Sequence, residues 1–430
     1  MRYDRIDPEL FVRNRDRLRE LLPKGALVIV HANDIMPTNA DGVLPFQQNS
    51  DLFYLTGVDQ EETILVLFPD AAEEKDREIL FVREASEHLS IWEGDKLTKE
   101  QATEVSGVKR VIWTKDFEAH WHRLMPQSQS VHLATNEHLR ATAVVETRND
   151  RFIRDCRDRY PLHRYERLAL LMHELRIIKD KEEIKQLQRA IDITEAGFRR
   201  VLSFLKPGVG EWEVEAEYLH EFVRRKSRGF AYPPIVGCGR NACTLHYVEN
   251  QSVCEDGMML LMDVGAEWAN WNADMTRTVP VNGRFSDRQR AVYDAVLRVQ
   301  RGATDFLRPG VTPMEWRDHT LELMEAELIQ LGLVDAKDAK EQDKDERPLV
   351  KKYYMHGVGH HLGLDVHDVC PPHEPVREGM VFTVEPGIYI REENLGVRLE
   401  DDILIGKDEN VNLFANIPVE AGEIEELMNS

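Results

Sequence analysis

Two short phrases recur in the second half of this chain, in the same order, and the repetition constrains the fold more than any other feature. Phe204-Leu205-Lys206-Pro207-Gly208-Val209 returns as Phe306-Leu307-Arg308-Pro309-Gly310-Val311. Each copy follows one long amphipathic stretch of helical spacing and precedes another. The apolar phrase Gly257-Met258-Met259-Leu260-Leu261-Met262-Asp263 is then matched in pattern by Gly379-Met380-Val381-Phe382-Thr383-Val384-Glu385, and an acid closes each run. Two echoes in one order predict two similar α+β halves about a pseudo-two-fold axis.

Residues ahead of these halves read differently. Ala26–His31, Leu52–Thr56, Thr63–Phe68, Ile79–Arg83, Arg110–Trp113 and Val131–Ala134 are strand candidates. Several are continuous Val/Ile/Leu/Phe runs, as strands buried on both faces require. A charged, helix-favouring stretch follows from Arg164 to Leu205, with Asp180 and Glu183 as a capping pair. The expectation is a smaller α/β domain over residues 1–175 and an α+β domain over 176–430. Within the second, Thr312, Pro313 and Glu315 mark a helix start. The nearly all-charged Asp335–Arg347 reads as an exposed loop.

At 430 residues and 42% hydrophobic, two domains can each bury a core. A net charge of −22 argues against nucleic acid and against anionic membrane surfaces. No apolar run approaches the ~20 residues of a membrane span. Met1–Asp7 carries no apolar leader region, and the five cysteines form no Cys-x-x-Cys pair. The expected compartment is the cytoplasm, with reduced thiols.

Five residues carry the chemistry. Asp263 ends an apolar run; Asp274 opens Asp-Met-Thr-Arg-Thr; His360 lies in His-Gly-Val-Gly-His-His; Glu385 precedes Pro-Gly; Glu400 begins Glu-Asp-Asp. Singly, four have a plain reading: a strand-end turn for Asp263, an Arg277 partner for Asp274, a structural histidine for His360 and a solvated acid for Glu400; Glu385, after the run Met380–Val384, is hard to explain as a surface acid. Together they place four carboxylates and an imidazole in one order. Two like charges ~4 Å apart repel by about 4 kcal/mol even at an effective dielectric of 20. Two divalent cations would neutralise four carboxylates, and such oxygen-rich ligation suits Mn²⁺ or a similar hard ion. Paired ions of this kind activate water for hydrolysis. His-Glu-x-x-His, Gly-x-Ser-x-Gly and Gly-Lys-Ser/Thr are all absent from the sequence.

The order Asp, Asp, His, Glu, Glu resembles that of the pita-bread metallopeptidases. Within them the chain is most similar to the aminopeptidase P group. Ile235-Val236-Gly237, Thr244-Leu245-His246-Tyr247, Leu362–Asp368, Val397–Asp402 and the N-terminal Phe46–Gly57 carry that likeness. It departs at His361, where an aromatic is usual, and at the charged stretch 335–347. The resemblance implies an α/β N-terminal domain ahead of a pita-bread catalytic domain. It implies two divalent ions, Asp274 and Glu400 bridging both, Asp263 on one, His360 and Glu385 on the other. Glu385 would also carry the proton from the attacking water to the leaving nitrogen. His246 and His367 would meet the scissile carbonyl, His356 would line a proline pocket, and Arg398 would support Glu400 or meet the substrate's carboxyl side. The implied substrate is a peptide with N-terminal Xaa-Pro, with a dipeptide-only prolidase as the alternative. The implied assembly is a homodimer or homotetramer, and Trp92 could reach a neighbouring subunit's site.

Overall fold

In a computed structural model, which describes residues 3–141, 145–371 and 373–430, the apolar run Ala26–His31 is strand β1, buried at every position. It belongs to the first of two compact units, Tyr3–Arg176 and Ile177–Ser430. With β2 (Ile64–Leu67), β3 (Glu78–Val82), β4 (Val111–Trp113), β5 (Ser130–Leu133) and β6 (Tyr165–Arg167) it forms one sheet of order β4-β3-β2-β1-β5-β6. β1 runs antiparallel to β2, with Val28 opposite Leu67, and parallel to β5, with Ala26 opposite Ser130. Leu27, Ile29, Val66 and Phe81 pack with Trp121, Leu124 and Cys156.

Leu52–Thr56, expected as a strand, is part of the helix Ser50–Thr56. Its hydrophobicity signals burial on all sides, and the ends decide its type. Asn49 caps the N-terminus by accepting from Leu52 N, and Gly57 closes the C-terminus in the left-handed region. The charged stretch from Arg164 is likewise not all helix. It opens with edge strand β6, followed by the helices Ala169–Arg176 and Lys181–Phe204. Asp180 and Glu183 form the capping box of the last.

In the second unit the helices Lys181–Phe204 and Glu211–Arg224 precede β7 (Ile235–Cys238), β8 (Met259–Asp263), β9 (Glu267–Trp268), β10 (Trp271–Asn272) and β11 (Thr276–Pro280). The helices Asp287–Phe306 and Pro313–Gln330 precede β12 (Val381–Val384), β13 (Gly387–Ile390), β14 (Leu395–Arg398), β15 (Asp401–Leu404) and β16 (Val411–Asn412). Each half therefore runs helix, helix, strands, and the two echoed phrases fall at the same steps. β8 lies between β7 and β11, and β15 between β12 and β16, all antiparallel.

Residues 335–347 are not simply a loop. Asp335 caps a short helix, Ala336–Glu341, and Arg347 is buried against Glu322 and Glu325. Among the described residues no helix is long and apolar enough to cross a membrane.

Candidate active site

The site begins with strand register. Asp263 closes β8 opposite Thr276 of β11, and Asp274 stands two residues before Thr276. The Glu400 amide donates to the Thr276 carbonyl at 3.0 Å, which brings the end of β14 across to β11. In the other half, the Thr383 amide donates to the His360 carbonyl at 2.9 Å and the Glu385 amide to that of Val358 at 2.8 Å. Two glycines permit these approaches. A Cβ on Gly265 would sit 1.7 Å from the Ala273 carbonyl oxygen, and one on Gly359 only 1.9 Å from that of Thr383.

These strands bring the expected acids together. Ligand atoms of Asp274, His360 and Glu400 all lie within 4.8 Å of one another. His360 Nε2 is 3.5 Å from Asp274 Oδ2 and 3.6 Å from Glu385 Oε1. Asp263 joins through Tyr232, whose hydroxyl is 2.6 Å from Asp263 Oδ1 and 2.5 Å from Asp274 Oδ1. His360 Nδ1–H donates to the His361 carbonyl at 3.0 Å, which turns Nε2 to the carboxylates. That second-atom hydrogen bond is the usual way a metal-binding imidazole is oriented.

The electrostatics fit divalent ions. Burial pushes the Asp263 carboxyl up, and Asp274 adds to it. Burial also raises Glu385 to about 7 and lifts Glu400 well above the ordinary range, with the neighbouring acids contributing to each. Burial alone would depress His360, but Asp274 and Glu385 outweigh it and raise the imidazole. Four enclosed oxygen donors that repel one another, beside one oriented imidazole, make a hard-cation donor set.

Arg398 organises the surround. Its Nη2 donates to Asp263 Oδ2 at 2.5 Å, its Nε to Thr276 Oγ1 at 3.1 Å and its Nη1 to Tyr389 Oη at 2.9 Å. An arginine only donates. The Thr276 hydroxyl must therefore point onward to Glu400 Oε2, 2.6 Å away. Tyr389 in turn donates to His356 Nε2 at 2.8 Å. His356 Nδ1–H then donates to the Gly357 carbonyl at 2.9 Å. His356 is thus neutral with both nitrogens occupied, and burial first, then Arg398, drives its pKa down to about 3.

Arg398 accordingly reaches Glu400 only through Thr276, and its direct partner is Asp263. Arg277 does not pair with Asp274. It is wholly buried and donates to Asp401 Oδ1 at 2.6 Å and to the carbonyls of Thr276, Glu400 and Pro418. Asp401 is therefore structural. Asp402 Oδ2 accepts from the Asp274 amide at 3.2 Å. His367 is half-buried, its ring 4.2 Å from that of His360. His246 is exposed and close enough to His356 to act on its charge. His361 packs on Phe382 with centroids 4.1 Å apart and is buried. Tyr232, Thr276, Thr383 and Tyr389 escaped the sequence reading. Thr276 had a signal: in an extended strand it shares a face with Asp274 and Thr278. Tyr232, ahead of Pro233-Pro234, had only its polar tip in an apolar setting.

Comparison with known proteins places this arrangement. The metallopeptidase family M24 matches residues 185–407, and the aminopeptidase P N-terminal domain matches residues 11–133. The chain belongs to metallopeptidase family M24. It is 34% identical to a Xaa-Pro aminopeptidase of Escherichia coli, across 98% of each chain. Against Xaa-Pro aminopeptidase 3 of Homo sapiens it is 31% identical over 96% of this chain and 84% of that one. A variant of Escherichia coli aminopeptidase P in complex with substrate matches with a TM-score of 0.88 and 32% identity, covering 99% of each chain. Proline aminopeptidase P II from Yersinia pestis matches at 0.86 and 31%, covering 98% and 99%.

Proposed function

We infer that this metallopeptidase is a Xaa-Pro aminopeptidase, which removes the first residue from peptides whose second residue is proline. The convergence of Asp274, His360 and Glu400 within 4.8 Å carries the reading, on a chain similar end to end to enzymes of that name. Asp263, Asp274, His360, Glu385 and Glu400 are assigned to two divalent ions, taken to be Mn²⁺. Bound there, the ions would supply an activated water and polarise the scissile carbonyl.

The side chains do the rest. A bond to proline has a tertiary amide nitrogen with no N–H, so that nitrogen must be protonated as it leaves. Glu385 is assigned to take a proton from the attacking water and hand it to the leaving nitrogen. His246 and His367 are assigned to the carbonyl oxygen, where N–H donors stabilise developing charge. His356 has no nitrogen left for the substrate, so its part is to offer a ring face, with Tyr389 behind it, to the proline. Arg398 holds Asp263 directly and Glu400 through Thr276. The proposal extends to the cytoplasm and to a homodimer or homotetramer. Ile91 and Trp92, 73% and 76% exposed, are available to a neighbouring copy.

Steady-state kinetics on Xaa-Pro, Xaa-Pro-Yaa and Xaa-Ala-Yaa peptides with Mn²⁺ tests the reading. The expected order of kcat/KM places Xaa-Pro-Yaa first. Cleavage of dipeptides alone would transfer the assignment to prolidase.

A further inference from the structure

Glu211 is the first residue of the helix Glu211–Arg224, and it is fully buried with no cationic partner among the described residues. A carboxylate in that position is tolerated only if its oxygens are satisfied. They are: Oε1 accepts from the Cys238 amide at 2.7 Å and from Asn241 Nδ2 at 3.0 Å, while Oε2 accepts from Tyr247 Oη–H and from the Ser252 amide, both at 2.8 Å. The helix N-terminus adds favourable partial charge.

All four donors belong to one loop, which leaves β7 at Cys238 and turns back before β8. One helical turn beyond Glu211, Glu215 accepts from Asn250 Nδ2 at 2.9 Å, and Asn250 Oδ1 accepts from the Val236 amide at 3.0 Å. Two acids on one helix face thus hold Tyr247 and Asn250. His246 lies within that loop, next to Tyr247, and is exposed, with no ring hydrogen bond among the described residues. Among the described residues, the imidazole is therefore carried by the backbone of the loop that Glu211 fastens.

We propose that Glu211 is a positioning residue for the reaction: its carboxylate fixes the 238–252 loop so that His246 faces the scissile carbonyl. This rests on the role given to His246 above. A displacement of ~1 Å at a reacting centre can cost about 100-fold in rate, so the effect is expected in kcat.

The experiment is a double-mutant cycle. In Glu211→Gln the shape is kept, but an amide NH₂ faces donors at one end of the cradle. The expected result is a kcat at least about tenfold lower, with KM and Mn²⁺ affinity unchanged and faster hydrogen exchange at the Cys238 and Ser252 amides. In the His246→Ala background the same change should produce no further loss, because its route to the chemistry is gone. An equal loss in both backgrounds, or a fall in Mn²⁺ affinity in step with kcat, would overturn the proposal and leave His246 standing. A His246→Ala enzyme with unchanged kcat would instead refute the His246 role. Should Glu211→Gln fail to fold, Tyr247→Phe removes one of the four donors and runs the same cycle with the same outcomes.

Discussion

Arg398 donates to Asp263 over 2.5 Å, and both side chains are largely buried. The pair is one arm of a fork whose other arms reach Thr276 and Tyr389. A lysine could make one of these contacts but not all three in fixed geometry. Arg398→Lys is therefore expected to weaken Mn²⁺ binding about 10–100-fold, the range typical when a ligand's hydrogen-bonding support is lost. Calorimetric titration of metal-free protein measures it. Wild-type affinity in a folded variant would remove Arg398 from this role.

Glu385→Gln keeps the shape and one oxygen donor but removes the proposed proton carrier. General acid–base help is commonly worth 10²–10⁴-fold, so turnover should fall at least ~10²-fold. Metal content by elemental analysis has to accompany the rate. Near-normal turnover with metals retained would contradict the assignment.

Metal binding should depend on pH. Burial raises Glu385 from an ordinary 4.5 to about 7. A raised carboxyl favours the folded state fully below 4.5, and that contribution is lost as pH climbs through about 7. In metal-free protein, stability should therefore drop across that window. A cation must displace the proton, so Mn²⁺ affinity is expected to weaken about tenfold per pH unit below 7 for each proton released. Titrations in buffers of different ionisation heat count those protons. An affinity flat between pH 6 and 8 is the contrary result.

His31 gives a second pH prediction, within the first unit. Its ring is enclosed by Phe117 and Phe152, with centroids 5.5 and 4.4 Å away, and both nitrogens lack a hydrogen-bond partner. Burial first, then Arg148, lowers its pKa from 6.5 to about 3. A lowered histidine contributes stability that is present above 6.5 and lost as pH falls toward 3. His31→Phe removes that proton uptake. Relative to wild type the variant should gain up to about 1.4 kcal/mol per pH unit as pH falls from 6 to 4. Denaturant unfolding followed by a probe in the first unit checks the slope; parallel curves would mean His31 does not titrate on unfolding.

Asp263 and Glu385 stand out in the sequence because each closes an apolar run, where a charge needs a reason, and Asp274, His360 and Glu400 stand out by falling in one order with them. Their hydrogen-bonding partners do not stand out. Thr276, Tyr232 and Tyr389 are ordinary strand or loop residues, and only the pairing of strands far apart in the chain sets a hydroxyl between two charged groups. Leu52–Thr56 shows the same limit at the level of the fold. A run buried on every side has no period to read, and Asn49 and Gly57 decide what hydrophobicity cannot. Arg277 was equally ambiguous: beside Asp274 in sequence, it turns instead to Asp401, 124 residues away.

The hydrogen bond from Thr276 to Glu400 also spans 124 residues. On the ribosome this separation becomes a delay. A nascent chain emerges with Asp263 and Asp274 long before Glu400 exists, and His360 and Glu385 come between. On the proposed ligand set, the centre is complete only once Glu400 has been made, when synthesis is nearly finished.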